Sequence, residues 1–167
     1  YLGSEEFING NPRYCLWLKD ASPVDLKRCP SILQRLQKVR DFRLKSTAKP
    51  TRNKADTPQL FFFTSQPTSN FLAIPEVSSE RRKYIPIGYM EPNTIVSNKL
   101  LVCPGATLYH FGILTSAMHM AWMRQVGGRL KSDYRYTGST VYNTFPWPEK
   151  IVDERKAEIE RLAQAVL

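Results

Sequence analysis

The sequence predicts an α+β fold, a mixed or antiparallel sheet flanked by helices and closed by a C-terminal helix. Three observations predict it. Ile32, Leu33, Leu36, Val39 and Phe42 recur at the spacing of one helical face. Short runs rich in branched and aromatic residues crowd the stretch from 60 to 111, punctuated by Pro, Gly and Asn as strands are. Beyond residue 115 the pattern returns to helix and ends in a charge-mixed amphipathic run.

Taken in order, Tyr14-Cys15-Leu16-Trp17-Leu18 is short and apolar enough for a buried strand. Ser22-Pro23 with Asp25 after it is a helix start: a capping hydroxyl, a proline in the first turn, then an acid. Residues 31–46 read as a longer helix ended by Pro50. Strands are expected at 60–64, 71–75, 84–87, 94–97, 99–103 and 107–111. Thr115 or Ser116 caps a helix that stops at Gly127-Gly128. Its Met118, Ala121, Trp122 and Met123 are assigned to the core, with Trp122 buried. After Pro146-Trp147-Pro148 the last helix carries Ile151, Ile159, Leu162 and Val166. No internal repeat interrupts this order.

The balance of charge narrows the function. Lys and Arg number 24 against 15 Asp and Glu, a net charge of +9, with a pI near 9.6. A polyanionic partner fits that balance. No apolar run approaches the roughly 18–20 residues a membrane span requires. Cys15, Cys29 and Cys103 are odd in number and scattered, and with His110 and His119 they offer neither a disulfide framework nor zinc-ligand spacing. A reduced, cytoplasmic, bacterial protein is expected, without metal or cofactor in this chain. Tyr1 replaces an initiator Met and Leu167 falls inside a helical pattern, so the chain is read as part of something longer.

Cations cluster in two places. Between Arg35 and Lys54 stand eight (Arg35, Lys38, Arg40, Arg43, Lys45, Lys49, Arg52, Lys54) against the single acid Asp41, which is +7 of the net +9. Mixed surfaces intersperse both signs; this one does not, and phosphate contact is expected at Arg43, Lys45, Lys49, Arg52 and Lys54. The second cluster, Ser78-Ser79-Glu80-Arg81-Arg82-Lys83, sets two hydroxyls beside three cations, again suited to phosphate at Ser78, Ser79, Arg81, Arg82 and Lys83.

The segment most suited to reading bases is Arg129-Leu130-Lys131-Ser132-Asp133-Tyr134-Arg135-Tyr136. Its charged members share one parity, and on a strand parity selects the face. Residues two apart on a strand lie roughly 6.7 Å apart, about twice the rise between stacked base pairs. Lys suits the guanine O6 and N7 acceptors, and Asp suits the cytosine amino donor. A carboxylate has no use on a surface that only holds phosphate, so Asp133 is the telling residue. Lys99, between two apolar runs, is a further base-reading candidate.

Three other signals point elsewhere. Asn11-Pro12-Arg13-Tyr14 is near the Asn-Pro-Pro-Tyr loop of adenine methyltransferases, but Arg13 replaces the second proline and no glycine-rich loop for S-adenosylmethionine precedes it. Glu154-Arg155-Lys156 with Asp133 has part of a nuclease metal motif, yet it falls in a helical pattern. His110 and His119 have no nucleophile at a recognisable spacing. No catalytic residue is assigned.

Ile85-Pro86-Ile87-Gly88, Leu108-Tyr109-His110-Phe111-Gly112-Ile113-Leu114-Thr115-Ser116, His119-Met120-Ala121-Trp122-Met123-Arg124, Gly128 to Tyr136 and Tyr142-Asn143-Thr144-Phe145-Pro146-Trp147-Pro148 together resemble the target-recognition domain of MmeI-like restriction–modification enzymes. The resemblance runs from Phe7-Ile8-Asn9-Gly10 to Pro148. It implies a recognition domain over 1–148, with 149–167 opening a following helical segment. It implies a parent protein with a methyltransferase domain that modifies adenine N6 using S-adenosylmethionine, in some relatives fused to a metal-dependent nuclease. It also implies double-stranded DNA as partner, with Lys131, Asp133, Arg135, Lys99 and Arg129 facing base pairs, and Lys131 with Asp133 acting jointly on one G·C pair. The rival readings are an RNA-binding module and a self-contained methyltransferase or nuclease domain.

Overall fold

The computed structural model describes residues 1–167 apart from Pro12. The chain divides into two compact units, one of Tyr1–Arg13 with Gln66–Leu167 and one of Tyr14–Ser65. Helices and antiparallel sheets make it α+β, with a helix at the C-terminal end as expected.

The larger unit opens on helix α1 (Ser4–Asn9) and is built on two three-stranded antiparallel sheets. In the first, β1 (Phe71–Pro75) lies between β3 (Gly88–Met90) and β4 (Leu100–Pro104). In the second, β6 (Asp133–Arg135) lies between β2 (Val77–Ser78) and β5 (Gly128–Leu130). Only Glu76 separates β1 from β2, so a single run of chain leaves one sheet and enters the other.

Strand β1 is buried at all five positions. Its continuous apolar sequence, Phe-Leu-Ala-Ile-Pro, is that of a strand covered on both faces. Leu72 and Ile74 pack with Phe111, Leu114, Met120, Met123 and Tyr136 on one side. Phe71 and Ala73 pack with Val96 and Leu100 on the other. Helix α5 (Leu108–Leu114) and helix α6 (Ala117–Val126) supply the first layer, and Ser116 caps α6 by accepting from the His119 N–H at 3.2 Å. Helix α7 (Asp153–Gln164) lies on α5, where Gly112 permits close approach. A Cβ at Gly112 would stand 2.8 Å from Ile159 Cγ2 and 3.3 Å from Ala163 Cβ.

Several expected strands are something else. Residues 107–111 begin α5, because the Thr107 N–H donates to His110 Nδ1 at 3.1 Å and closes the first helical turn. Residues 60–64 and 84–87 form no ladder, and 94–97 contributes only the bridge of Val96 to Leu2. The 14–18 run is irregular and leaves Tyr14 90% exposed. The apolar face of α6 is also rotated from expectation: His119, Met120 and Met123 are buried, Trp122 is half-buried with Nε1 donating to the Val141 carbonyl at 3.2 Å, and Met118 is 63% exposed. The buried His119 ring finds a partner through Nε2.

That partner is the Tyr136 hydroxyl, 2.9 Å from His119 Nε2, with Phe145 edge-on at 4.7 Å between ring centroids. The smaller unit holds α2 (Pro23–Lys27), α3 (Pro30–Leu44) and α4 (Lys49–Arg52). Ser22 caps α2 by accepting from the Asp25 N–H at 3.1 Å. Ile32, Leu36 and Val39 line a recess of about 390 Å³ with Leu16, Leu18 and Phe61.

Burial lowers the His119 pKa to about 4. In the unfolded chain the ring titrates near 6.5. Above that pH it is neutral in both states and contributes no pH dependence. As pH falls from about 6.5 to about 4 only the unfolded chain gains the proton, so stability declines by about 3 kcal/mol across that window. His119→Gln keeps a donor for Tyr136 without titrating. Urea unfolding between pH 7 and pH 4 should therefore show a flatter decline in the variant than in the natural chain.

Candidate nucleic-acid interface

The run from Arg129 to Arg135, expected to read bases from one strand, forms a hairpin instead. Strands β5 and β6 pair Gly128 with Arg135, Arg129 with Tyr134 and Leu130 with Asp133. Lys131 and Ser132 are the loop, and Lys131 takes a left-handed φ of 56°. A two-residue connection commonly demands a positive φ in its first residue, which lysine meets at some strain. The turn resets the phase of the alternation. Downstream of it parity holds: Tyr134 and Tyr136 are buried while Arg135 is exposed. Upstream it fails: Arg129 lies on the Tyr134 face, and Leu130 is 53% exposed.

Three charged groups of the hairpin are bonded within the fold. The Arg129 guanidinium lies 4.0 Å from the Tyr134 ring centroid and donates to the Ser132 carbonyl at 2.9 Å, stiffening the tip. Asp133 Oδ1 accepts from the Glu80 N–H at 3.3 Å. Arg135 donates to Glu76 Oε1 at 3.1 Å. Lys131 stands exposed at the turn.

The turn carrying the second basic cluster is braced against this hairpin. Beyond the Asp133 contact, Arg124 of α6 donates to the Lys83 carbonyl at 3.3 Å and to the Tyr134 hydroxyl at 3.4 Å. Arg124 and the neighbouring Arg129 lower the Tyr134 pKa, the hydrogen bond from Arg124 being the larger cause. The Arg82 N–H closes the turn on the Ser79 carbonyl at 3.0 Å, leaving Arg81, Arg82 and Lys83 exposed. Ser79 is half-buried, its Oγ accepting from the Arg81 N–H at 3.3 Å. Ser78 is a correction to the expected phosphate ligands: it is 3% exposed with its hydroxyl in the core, because it is a β2 residue paired with Tyr134.

Lys99 and Arg135 come together. They line one open cleft of about 390 Å³ with Ser4, Glu76, Val77 and Leu130. Neither Glu76 nor Arg124 carries a sequence signal, since both act through partners 59 and 41 positions away in sequence.

In the smaller unit the basic run is partly structural. Arg43 donates to three carbonyls, of Lys54 at 2.7 Å, Thr57 at 2.9 Å and Leu60 at 2.7 Å. Its guanidinium is thereby spent on the fold, a correction to its assignment as a phosphate contact. Arg52 donates to the Ser46 and Thr47 carbonyls at 2.8 and 2.7 Å, and Arg40 pairs with Asp56 at 3.4 Å. Lys45, Lys49 and Lys54 are exposed, Lys54 lying 5.9 Å from the Phe62 ring centroid.

The near-match to a methyltransferase loop includes Pro12, which lies outside the described residues. Beside it Arg13 pairs with Glu6 at 2.9 Å and covers the Tyr1 ring. Among the described residues no three His, Cys, Asp or Glu groups are placed to hold a metal ion. No helix among them is long and apolar enough to cross a membrane.

A cationic hairpin, a basic turn braced to it and a cleft that sets Lys99 beside Arg135 make up a recognition surface. The family model described as "MmeI, target recognition domain" matches residues 1–149, and the chain belongs to that family. It is 46% identical over 167 residues to DNA methyltransferase A of Bacillus subtilis (strain 168), covering 100% of this chain and 19% of that protein. It is also similar, at 50% identity and a TM-score of 0.92, to a solved structure of the Type IIL restriction-modification enzyme MmeI in complex with DNA. That likeness covers 99% of this chain and 22% of the solved one. The chain thus spans about a fifth of the length of the relatives it matches.

Arg43→Lys should destabilise the smaller unit by about 2–3 kcal/mol, because an ammonium cannot span three carbonyls and one is left unpaired. Amide hydrogen exchange over residues 54–60 should quicken in the variant; unchanged protection there would show that the staple carries no weight.

Proposed function

We propose that this chain reads sequence in double-stranded DNA for a methyltransferase that transfers a methyl group from S-adenosylmethionine to adenine N6. The methyltransferase domain belongs to the same cytoplasmic polypeptide, which in a restriction–modification form adds a metal-dependent nuclease. The observation that carries the reading is the hairpin braced to the 79–83 turn. One element offers base-facing groups and the other offers cations, and a rigid pairing of the two is what groove recognition with phosphate anchoring requires.

Arg81, Arg82 and Lys83 are the phosphate contacts of this unit, and Lys45, Lys49, Arg52 and Lys54 add cations in the smaller one. Base contacts fall to Lys131, Asp133, Arg135 and Lys99, with Arg129 holding the tip in shape. Asp133 serves twice: Oδ1 takes the Glu80 N–H, and Oδ2 faces the cytosine amino group of a G·C pair whose guanine meets Lys131.

Sequencing the methylated sites in cells that express the whole polypeptide gives the motif. Binding to a duplex carrying it should exceed binding to single-stranded RNA of equal length; the reverse order would sink the proposal. Changing Arg81 and Arg82 to Ala should lower the slope of log affinity against log salt by about 0.9 for each lost contact, with the preferred sequence unchanged.

Asp133→Asn tests the base contact apart from the brace. Its amide oxygen still accepts from Glu80, but the outer group becomes a donor. Discrimination at one base pair should fall by about 1–3 kcal/mol. An unaltered preference at every position would remove Asp133 from the reading surface.

A further inference from the structure

We infer that Leu130 is a specificity-determining residue that reads the C5 methyl group of a thymine; this rests on the DNA-reading function proposed above. In the major groove a base pair presents donors, acceptors and one apolar feature, the thymine methyl. The cleft shared by Lys99 and Arg135 has two apolar walls, Leu130 and Val77, and Leu130 is 53% exposed there. A solitary surface leucine needs no explanation. This one projects beside two cations where a groove-bound pair would lie.

The surroundings hold it in place. Leu130 closes β5 opposite Asp133, whose carboxylate is tied to the Glu80 N–H. The preceding Arg129 is fixed over Tyr134 and to the Ser132 carbonyl. Opposite Arg135 stands Gly128, so no side chain of β5 fills the floor of the cleft beside the arginine stem. Glu76, also in the cleft lining, holds Arg135 by an ion pair at 3.1 Å. A base edge entering between Lys99 and Arg135 therefore meets an apolar wall at a fixed place. A phosphate or sugar gains nothing from that wall, whereas a methyl group does.

The test replaces each thymine of the recognised motif by deoxyuridine, which lacks the methyl and keeps every hydrogen-bonding group. It uses the natural polypeptide that carries this chain. One position should lose about fourfold in affinity, the worth of burying a single methyl-sized group. Leu130→Ala should bind the thymine and deoxyuridine duplexes equally, Leu130→Met should retain the difference, and melting temperature and non-specific binding should not move. Insensitivity of the natural protein to deoxyuridine at every position overturns the inference. So does a motif without a T·A pair, or an alanine variant that keeps the full ratio or loses affinity equally for both duplexes. Failure of the underlying reading looks different: no sequence preference appears at all.

Discussion

One residue joins the two sheets of the larger unit. The Glu76 N–H donates to the Lys99 carbonyl at 3.3 Å, its own carbonyl accepts from the Tyr136 N–H at 2.8 Å, and its carboxylate holds Arg135 at 3.1 Å. The backbone of a strand that changes sheets must satisfy its polar groups on both sides of the crossing, and here each side supplies a partner. The consequence reaches the surface. Lys99 precedes a strand of one sheet and Arg135 ends a strand of the other, so their relation in the cleft is fixed by the joint between the sheets. The geometry of this cleft therefore depends on a covalently short, fully hydrogen-bonded crossing.

What the sequence made legible follows from which signals are local. Strand 71–75 and the helices over 30–44, 117–126 and 153–164 were readable because continuous burial or helical period marks them within a few residues. Capping at Ser22 and Ser116 was readable for the same reason. The hairpin was not, because Arg129 to Tyr136 alternates as a straight strand would, and no Asn-Gly or Asp-Gly pair marks the turn. Lys131 in a left-handed conformation gives no such warning. Thr107 to Phe111 misled through its aromatic and branched content, while the capping contact of His110 that makes it helical is invisible to a propensity count. The structural use of Arg43 and the burial of Ser78 depend on partners distant in sequence, so composition could assign them only to the surface.

The hairpin separates what must stay from what can change. Tyr134 and Tyr136 are buried and hydrogen-bonded, to Arg124 and His119 respectively. Removing either would leave a cavity and an unpaired partner inside the unit. Leu130 and Lys131, at the tip, are exposed and contribute little to that core. A domain arranged in this way can alter its outward residues at small cost in stability. The tip of the hairpin, at Leu130 and Lys131, is thus where substitution is compatible with an unchanged fold.

Employment of cations within the fold does not remove them from the electrostatics. Arg43 and Arg52 donate to backbone carbonyls, which are neutral, so both retain a full charge while their side chains are immobilised. Burial lowers the Arg43 pKa, but from so high a starting point that the group stays protonated. The ion pairs Arg13–Glu6, Arg40–Asp56, Arg135–Glu76 and Arg161–Glu158 each join one charge of either sign, and so leave the net charge of +9 intact. A polyanion approaching within a Debye length, about 8 Å at physiological salt, meets the summed field before any side chain touches it. Cations bonded within the fold thus contribute to that field as fully as the exposed lysines at 45, 49, 83, 99 and 131 do.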